Sequence, residues 1–173
     1  GANIAPGIDR SFASDCWGKI ADKKLWYEAY DEAHDLIRKD VEMNIQGYDL
    51  DSEIIKCAMA NAKAAGVDQY IHFQARDVKN LHHPKHFGFI ITNPPYGERL
   101  EEKQALPALY KTIGESFARL SDWSMYLITS YEEAEKYIGR KADRNRKIYN
   151  GMIKSYFYQF MGPKPPKKKE NNE

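Results

Sequence analysis

The sequence predicts an α/β fold: a mostly parallel β-sheet with helices on both faces, followed by an antiparallel hairpin near the C-terminus. Three observations predict it. Short apolar segments alternate with amphipathic helical patterns along most of the chain. Residues 87–92 and 125–129 are apolar runs of the kind found in strands that are buried on both faces. Asn150-Gly151 is a typical two-residue hairpin loop between two strand-like segments.

The first half of the chain predicts two helices and two strands. Apolar residues at spacings of three and four predict a helix over residues 17–39. A short strand over 43–51 ends in acidic residues, and an alanine-rich helix over 52–65 follows it. A second strand over 70–77 shows period-two alternation and again ends in an aspartate.

The second half repeats this alternation after the apolar run. A helix over 107–120 has a proline in its first turn, where the missing N–H costs little. The apolar strand over 125–129 comes next, and a short helix over 131–138 follows it. The two hairpin strands are expected over 146–149 and 152–160.

The length and composition describe one domain with a tail. A chain of 173 residues, 42% of them apolar, can bury one core of ordinary size. We expect residues 1–162 to form this domain and the basic tail, 163–173, to be disordered because it has nothing to bury. Without the tail, the net charge falls from +1 to about −1, which is not typical of a stand-alone nucleic-acid binder.

One stretch of the sequence is locally basic. Two interpretations remain open for it: a solvated strand pair, or a surface that contacts phosphates. Its cations are Arg140, Lys141, Arg144, Arg146, Lys147 and Lys154.

The sequence also bears on location and metals. No apolar run approaches the roughly 20 residues of a membrane-spanning helix, and the N-terminus does not resemble a secretory signal. Cys16 and Cys57 lack C-x-x-C spacing, so we expect reduced thiols in a cytoplasmic protein. His82, His83 and His86 lie close together, but no cysteine or acid completes the set, and we expect no metal site.

The most specific feature is the tetrapeptide Asn93-Pro94-Pro95-Tyr96, directly after the run 87–92. In open α/β sheets, ligand chemistry lies at the carboxyl ends of strands. The Asn93 side-chain oxygen and the Pro94 carbonyl can both accept hydrogen bonds from an exocyclic amino group, and the two prolines stiffen the loop. Tyr96 offers a flat face on which an unpaired base can stack. The pattern indicates a site for a planar base; the alternative is a turn that only terminates the strand.

Aspartates end the two preceding strands. A carboxylate at the end of the second strand of a nucleotide-binding sheet can accept hydrogen bonds from both ribose hydroxyls. Asp49 occupies that place, with Leu50 against the adenine face. Asp77 can accept a hydrogen bond from the adenine amino group, beside the Val78 backbone. Asp51 is more simply a helix cap, and a cap is also an alternative role for Asp77. The order of the aspartates before the tetrapeptide is what indicates a nucleotide cofactor.

These motifs resemble those of a known family. The string NPPYGERL over 93–100, with GYDLD and ARDV upstream, resembles the amino-methyltransferase branch of the Rossmann-like methyltransferases. More narrowly, the chain resembles the bacterial 23S rRNA guanine-N2 methyltransferases that carry an upstream THUMP RNA-binding domain. Members of that group have often been labelled N6-adenine-specific DNA methylases. The resemblance runs from the first residue to about Gly162, and NPPYGER is its most specific part.

The resemblance implies a seven-stranded sheet that binds S-adenosylmethionine. It implies Asp49 at the cofactor ribose, Asp77 at the adenine, and residues 93–96 at the target base, with Asn93 also beside the cofactor. The family's first strand and glycine-rich loop do not appear in the sequence. We therefore expect a fragment, with that strand, that loop and the THUMP domain upstream of it.

The hypothesis is methyl transfer to the exocyclic amino group of a base, guanine N2 in 23S rRNA. The base leaves its stack, and Asn93 and Pro94 hold its amino group. Positioning and electrostatics suffice, so no metal or covalent nucleophile is needed. Three alternatives remain open: an adenine-N6 DNA methyltransferase, a protein glutamine methyltransferase, and a non-catalytic RNA-binding module that retains the pocket.

Overall fold

The computed structural model describes residues 1–8, 10–20, 22–97 and 100–166. The chain divides into two compact units, Gly1–Arg76 and Asp77–Glu173. Each unit has its own sheet.

The first unit contains a β-α-β arrangement that is preceded by a helix. The helix α1 spans Lys23–Asp35, and the Asp22 side chain caps its N-terminus. The strand β1 (Ile45–Asp49) leads into α2 (Ser52–Ala64), and β2 (Ile71–Ala75) pairs with β1 in parallel. Parallel neighbours need a crossover connection, and α2 supplies it.

Two predictions for this unit have clear outcomes. The helix predicted over 17–39 is shorter, because its start is fixed by the Asp22 cap and Ala13–Cys16 forms a separate 3₁₀ turn. The cap predicted for α2 is confirmed: Asp51 Oδ1 accepts a hydrogen bond from Glu53 N at 2.8 Å.

The second unit is built on a four-stranded sheet with the order β3-β4-β6-β5. The strands are β3 (Phe89–Thr92), β4 (Ser124–Thr129), β5 (Arg144–Asn150) and β6 (Ile153–Phe160). The helix α3 (Leu100–Ala118) connects β3 to β4, and α4 (Ala134–Ile138) follows β4. β3 and β4 are parallel, and β6 is antiparallel to both of its neighbours.

The predicted fold class is confirmed. Both units alternate strands with helices, and the reversed strand β6 lies next to the sheet edge, as predicted. The described residues contain six strands in two sheets, whereas the family resemblance implies seven in one.

The core of the second unit lies between one face of its sheet and the two helices. Tyr110 on α3, Met125 and Leu127 on β4, and Phe160 on β6 are fully buried there. The other members of this core are Leu106, Ile113, Phe117, Ala134, Ile138 and Tyr158. This packing fixes α3 on the sheet directly below the loop that follows β3.

Burial of β3 on both faces is not found. Successive strand residues point to opposite faces, and α3 covers only the face that carries Ile90. Phe89 and Ile91 point the other way and are 65% and 82% exposed.

The position predicted for Pro107 was wrong. The proline lies inside α3, because the helix begins at Leu100 rather than at the proline. A proline at an interior position removes one backbone hydrogen bond of the helix. The packing of Leu106 and Tyr110 on the sheet compensates for this loss.

The hairpin is confirmed, with its loop one residue later than predicted. Asn150 pairs with Ile153, so the loop is Gly151-Met152 rather than Asn150-Gly151. Gly151 has a φ of 60°, and Met152 does not have a positive φ. A positive φ at the first loop residue alone is typical of a type II′ turn, which favours glycine there, whereas an Asn-Gly type I′ turn needs positive φ at both.

The remaining predictions concern the termini, the thiols and the membrane. No helix in the described part of the chain is long and apolar enough to cross a membrane. Cys16 and Cys57 are exposed and form no disulfide. The predicted tail 163–173 lies outside the described residues from 167 onwards.

Candidate active site

The Asn-Pro-Pro-Tyr loop, residues 93–96, lies at the carboxyl end of β3. β4 is parallel to β3, so the carboxyl ends of both strands lie on the same side of the sheet. Open α/β sheets bind their ligands at these carboxyl ends. Asn93 and Pro95 are exposed, Pro94 is buried and Tyr96 is half-buried. The loop therefore presents the asparagine side chain to solvent while one proline anchors it in the protein.

Tyr96 folds back onto Asn93 within this loop. The Tyr96 hydroxyl donates a short hydrogen bond to Asn93 Oδ1. This contact fixes the orientation of the Asn93 side-chain amide, with Oδ1 directed toward the Tyr96 hydroxyl. Because an amide oxygen can accept two hydrogen bonds, Asn93 keeps capacity for a second donor.

A buried hydrogen-bonded chain supports the loop from below. The Tyr110 hydroxyl on α3 donates to the Pro95 carbonyl at 3.5 Å and lies 2.5 Å from Thr129 Oγ1 on β4. Thr129 Oγ1 in turn accepts from Tyr131 N at 3.0 Å. The donors then run in one direction, from Tyr131 N–H through Thr129 and Tyr110 to the Pro95 carbonyl, and hydrogen bonds in such a chain polarise one another.

Burial keeps Tyr110 in its donor form. The side chain has no exposed surface, and burial raises the pKa of its hydroxyl to about 12. Tyr110 therefore keeps its hydroxyl proton, which it donates to the Pro95 carbonyl, at any pH at which the protein would work.

Gly97 closes the loop at a point where no larger residue fits. Its φ is 74°, which side chains with a Cβ rarely adopt. A Cβ built there would lie 2.8 Å from Leu106 Cδ1 and 3.1 Å from Lys103 Cα, both on α3. The loop thus packs directly on α3 as well as bonding to it. Glu98 and Arg99, which continue the NPPYGERL string, lie outside the described residues.

The turn after β2 carries Asp77 and Val78, the predicted adenine contacts. Asp77 caps a 3₁₀ turn: its Oδ1 accepts from Lys79 N at 2.9 Å, and its Oδ2 lies 3.2 Å from Lys79 Nζ. The hydrogen bond from the Lys79 backbone, followed by that from its side chain, lowers the pKa of Asp77. Asp77 therefore serves as a cap, the alternative role that was considered for it from the sequence. Its lowered pKa keeps the carboxylate ionised.

Side chains in and directly after α3 donate hydrogen bonds to the backbone carbonyls of Val78 and Lys79. Ser116 Oγ donates to the Val78 carbonyl at 2.8 Å, and Arg119 Nη2 donates to the Lys79 carbonyl at 2.6 Å. Among the described residues, no acceptor takes the Val78 N–H. An ionised carboxylate and an unused amide N–H thus lie side by side at this turn.

One cavity connects this turn with the loop after β3. A space of about 120 Å³ is lined by both Val78 and Pro94, together with Thr92 and apolar core side chains. Of the predicted site residues, Val78 and Pro94 therefore line the same cavity within the second unit.

Asp49 and Leu50, the predicted ribose and adenine contacts, end β1 in the first unit. Asp49 Oδ1 accepts from Asp51 N at 2.9 Å, which turns the carboxylate toward the start of α2. Both residues are exposed, Leu50 by 74%. Both residues belong to the first unit.

The residues that support the site were not predicted from the sequence. Tyr110, Thr129 and Ser116 lie inside a helix and a strand, where the patterns indicated only core packing. A polar residue at each of these buried positions is the signal that was available, because buried hydroxyls need partners.

Comparisons with known proteins identify the family of the chain. Residues 1–159 match the UPF0020 family model, described as the RMKL-like methyltransferase domain. YpsC of Bacillus subtilis (strain 168), named as an RNA methyltransferase candidate, is 41% identical over 99% of the chain and 45% of its own length. The ribosomal RNA large subunit methyltransferase K/L of Shewanella baltica (strain OS185) is 36% identical over 90% of the chain and 23% of its own length.

A solved structure shares the fold. The crystal structure of SMU.472, a methyltransferase candidate in complex with SAH, is similar with a TM-score of 0.86 and 36% identity. The match covers 95% of the chain and 44% of SMU.472. The chain thus spans less than half the length of these relatives. Since the family model covers nearly all of it, the chain belongs to the RMKL-like methyltransferase domain family.

Proposed function

We propose that this chain transfers a methyl group from S-adenosylmethionine to the exocyclic amino group of a nucleic-acid base, guanine N2 of 23S ribosomal RNA. Residues 1–162 form the catalytic domain in this proposal, and 163–173 is a basic tail. The observation that carries it is the exposed Asn93 amide at the carboxyl end of β3, in a loop supported by α3 through the Pro95 carbonyl.

The turn after β2 fits the adenine of the cofactor. The edge of adenine presents an amino donor beside a ring-nitrogen acceptor. The ionised Asp77 carboxylate and the unused Val78 N–H offer the complementary acceptor and donor.

The end of β1 fits the ribose. One Asp49 oxygen is used by Asp51 N, and the other has no partner among the described residues. An exposed carboxylate at the end of such a strand is the group that accepts ribose hydroxyls in dinucleotide-binding sheets. SMU.472, which shares this fold, was solved with SAH.

Asn93 and Pro94 act on the target base. When bound, S-adenosylmethionine would supply a sulfonium methyl group that an amine nitrogen can take by in-line displacement, in which the methyl C–S bond breaks and the neutral thioether leaves. The free lone pair of Asn93 Oδ1 and the Pro94 carbonyl accept the two protons of the base amino group. Because both protons are held, the nitrogen lone pair is withdrawn from conjugation with the ring and becomes nucleophilic. The methylated nitrogen then releases one proton to solvent.

The choice of RNA rests on the relatives. One is named as an RNA methyltransferase candidate and another as a large-subunit ribosomal RNA methyltransferase. Both are more than twice the length of this chain, and we propose that an RNA-binding domain of the THUMP type contributes in the full-length protein, in the cytoplasm.

The proposal is tested with full-length protein and labelled S-adenosylmethionine. Unmodified ribosomal RNA and duplex DNA are offered separately, and the products are digested to nucleosides for mass spectrometry. We expect N2-methylguanosine from RNA alone.

Other products would contradict specific parts of the proposal. N6-methyladenine from DNA would overturn the substrate while keeping the cofactor. Methylated glutamine in a release factor, without any nucleic-acid product, would overturn the nucleic-acid assignment altogether. No transfer to any of these would favour a non-catalytic RNA-binding module.

A further inference from the structure

The hairpin formed by β5 and β6 extends beyond the rest of its sheet at the edge of the candidate site. The register aligns Thr92, the last residue of β3, with Leu127, Tyr158 and Asn145. β5 continues for five residues past that row, to Asn150. At about 3.4 Å per residue, the hairpin projects about 17 Å beyond the end of β3.

The direction of this projection is fixed by the strand order. β3 and β4 run parallel, β6 runs against β4, and β5 runs against β6, so β5 ends at the same edge as β3. The Gly151-Met152 loop is therefore on the side of Asn93. Three strand spacings of about 4.8 Å separate β3 from β5, which places the hairpin about 14 Å to one side of the loop.

We name residues 144–160 the hairpin arm. The arm contains four cations, Arg144, Arg146, Lys147 and Lys154, and no aspartate or glutamate. This is a local charge of +4 in a chain whose net charge is +1. Two of these cations, Arg146 and Lys147, lie on β5 beyond the row at which β3 ends.

Most of this charge is not neutralised within the protein. Lys154 pairs with Glu132 at 2.8 Å. Arg144, Arg146 and Lys147 form no ion pair with any residue that the structure describes. Strand alternation sends Lys147 to one face of the arm and the two arginines to the other. Cations are thus available on both sides of the projecting ribbon.

Exposed aromatic and apolar side chains accompany the cations. Tyr149 is 64% exposed, and Lys147 Nζ lies 5.3 Å from its ring centroid. Met152, at the tip, is 97% exposed. Cations beside exposed aromatic rings are the combination that binds single-stranded nucleic acid, through phosphates and base faces respectively.

We propose that the hairpin arm binds the phosphodiester backbone of the RNA strand that flanks the base held at Asn93. This inference rests on the proposed function. Of the two interpretations of the basic stretch, it favours a surface that contacts phosphates over a solvated strand pair. A basic edge strand can also serve only to prevent edge-to-edge aggregation. That role needs no nucleic acid, so the two roles make different predictions.

The test compares two double variants of the full-length protein with equal charge change. The arm variant is Arg146→Gln with Lys147→Gln. The control is Lys85→Gln with Lys111→Gln. Both lysines are exposed and belong to the same unit, but lie outside the arm. Lys85 precedes β3, on the side of the sheet opposite the candidate site. The readouts are kcat and KM for unmodified ribosomal RNA over a series of salt concentrations, with cofactor affinity by calorimetry.

The arm variant should raise the KM for RNA about tenfold, with kcat and cofactor affinity within about twofold of wild type. The slope of log affinity against log salt is negative, and each lost phosphate contact reduces its magnitude by about 0.7 for a single strand. The magnitude should therefore decrease by about 1.4 in the arm variant. The control should leave KM and slope unchanged. Should the double variant fail to fold, Lys147→Gln alone should reduce the magnitude of the slope by about 0.7.

Two failures can be distinguished. A wild-type protein that methylates RNA, with equal KM and slope in the arm and control variants, would overturn the arm proposal and leave the proposed function intact. A wild-type protein that methylates no nucleic acid would overturn the proposed function, and the arm proposal with it.

Discussion

The loops that follow β1 and β3 are held in different ways. After β1, the two carboxylates are oriented locally: the backbone amide of Asp51 bonds to Asp49, and the Asp51 side chain caps α2. The Asp49 carbonyl also accepts from Arg76 N, just after β2. After β3, the Pro95 carbonyl accepts from Tyr110, fifteen residues away on α3, and Gly97 packs on Leu106. The carboxylate proposed to bind the ribose is therefore oriented by local hydrogen bonds, whereas the loop proposed to bind the base is held by tertiary packing.

This difference suggests a division of roles. A locally capped turn needs little from the rest of the fold to present a carboxylate. A loop that must hold two acceptors in fixed positions on a flipped base needs a rigid support, because small displacements of a positioning group are costly for the reaction. Variants of the two loops should therefore affect different measurable quantities.

The largest effect is expected for Asn93→Ala. Removing the exposed amide acceptor should lower kcat about a hundredfold or more, because its hydrogen bond to the target amino group strengthens as positive charge develops on the nitrogen in the transition state. Cofactor affinity, measured by calorimetry, should stay within about twofold. An Asn93→Ala enzyme with undiminished kcat would remove Asn93 from the reaction.

A smaller effect is expected for Tyr110→Phe. Losing the hydrogen bond to Pro95 should lower kcat about tenfold through misplacement of the loop, with a stability loss of about 1 kcal/mol. The matched control is Tyr131→Phe, which removes a hydroxyl in contact with Glu133 while leaving the Tyr131 N–H in place. Equal kcat values for the two variants would show that the hydroxyl of Tyr110 does not position the loop.

The same tyrosine predicts a pH dependence of stability. Its pKa is raised from 10.0 to about 12 in the folded protein, so the folded state holds the proton more tightly than the unfolded state. The stabilisation is fully present below pH 10 and is lost as the pH rises through about 12. Chemical unfolding across this range should show a steeper alkaline loss for wild type than for Tyr110→Phe. Parallel curves would contradict the assigned burial of the hydroxyl.

The smallest effect is expected for Asp51→Ala. Loss of the α2 cap should cost about 1 kcal/mol of stability and increase hydrogen exchange in the first turn of α2. The control Asp68→Ala removes an exposed aspartate that forms no side-chain hydrogen bond among the described residues, and should change stability by less than about 0.5 kcal/mol. Activity at saturating cofactor should be unchanged in both; a fall in kcat for Asp51→Ala would contradict the division between the loops.

What sequence could predict follows the same division. The Asp51 cap and the alternation of strands and helices depend on neighbouring residues, and both were predicted. The hairpin was predicted from Asn150-Gly151, but its register depends on which backbone angles the loop adopts, and the loop is one residue later.

The support of the base loop could not be predicted. Tyr110 and Thr129 come together because α3 packs on β4, and no spacing in the sequence encodes that contact. Pro107 was misplaced for a related reason: tertiary packing of Leu106 and Tyr110 outweighs the cost of a proline inside a helix.

The central claim is that Asn93 holds the exocyclic amino group of the target base. The direct measurement is a double-mutant cycle on RNA affinity, with wild type and Asn93→Ala each bound to oligonucleotides carrying guanosine or inosine at the methylated position. Inosine lacks only the amino group. We predict that inosine weakens binding to wild type about fivefold but leaves binding to Asn93→Ala unchanged, a coupling of about 1 kcal/mol. Equal losses for both proteins, with no coupling, would contradict the claim.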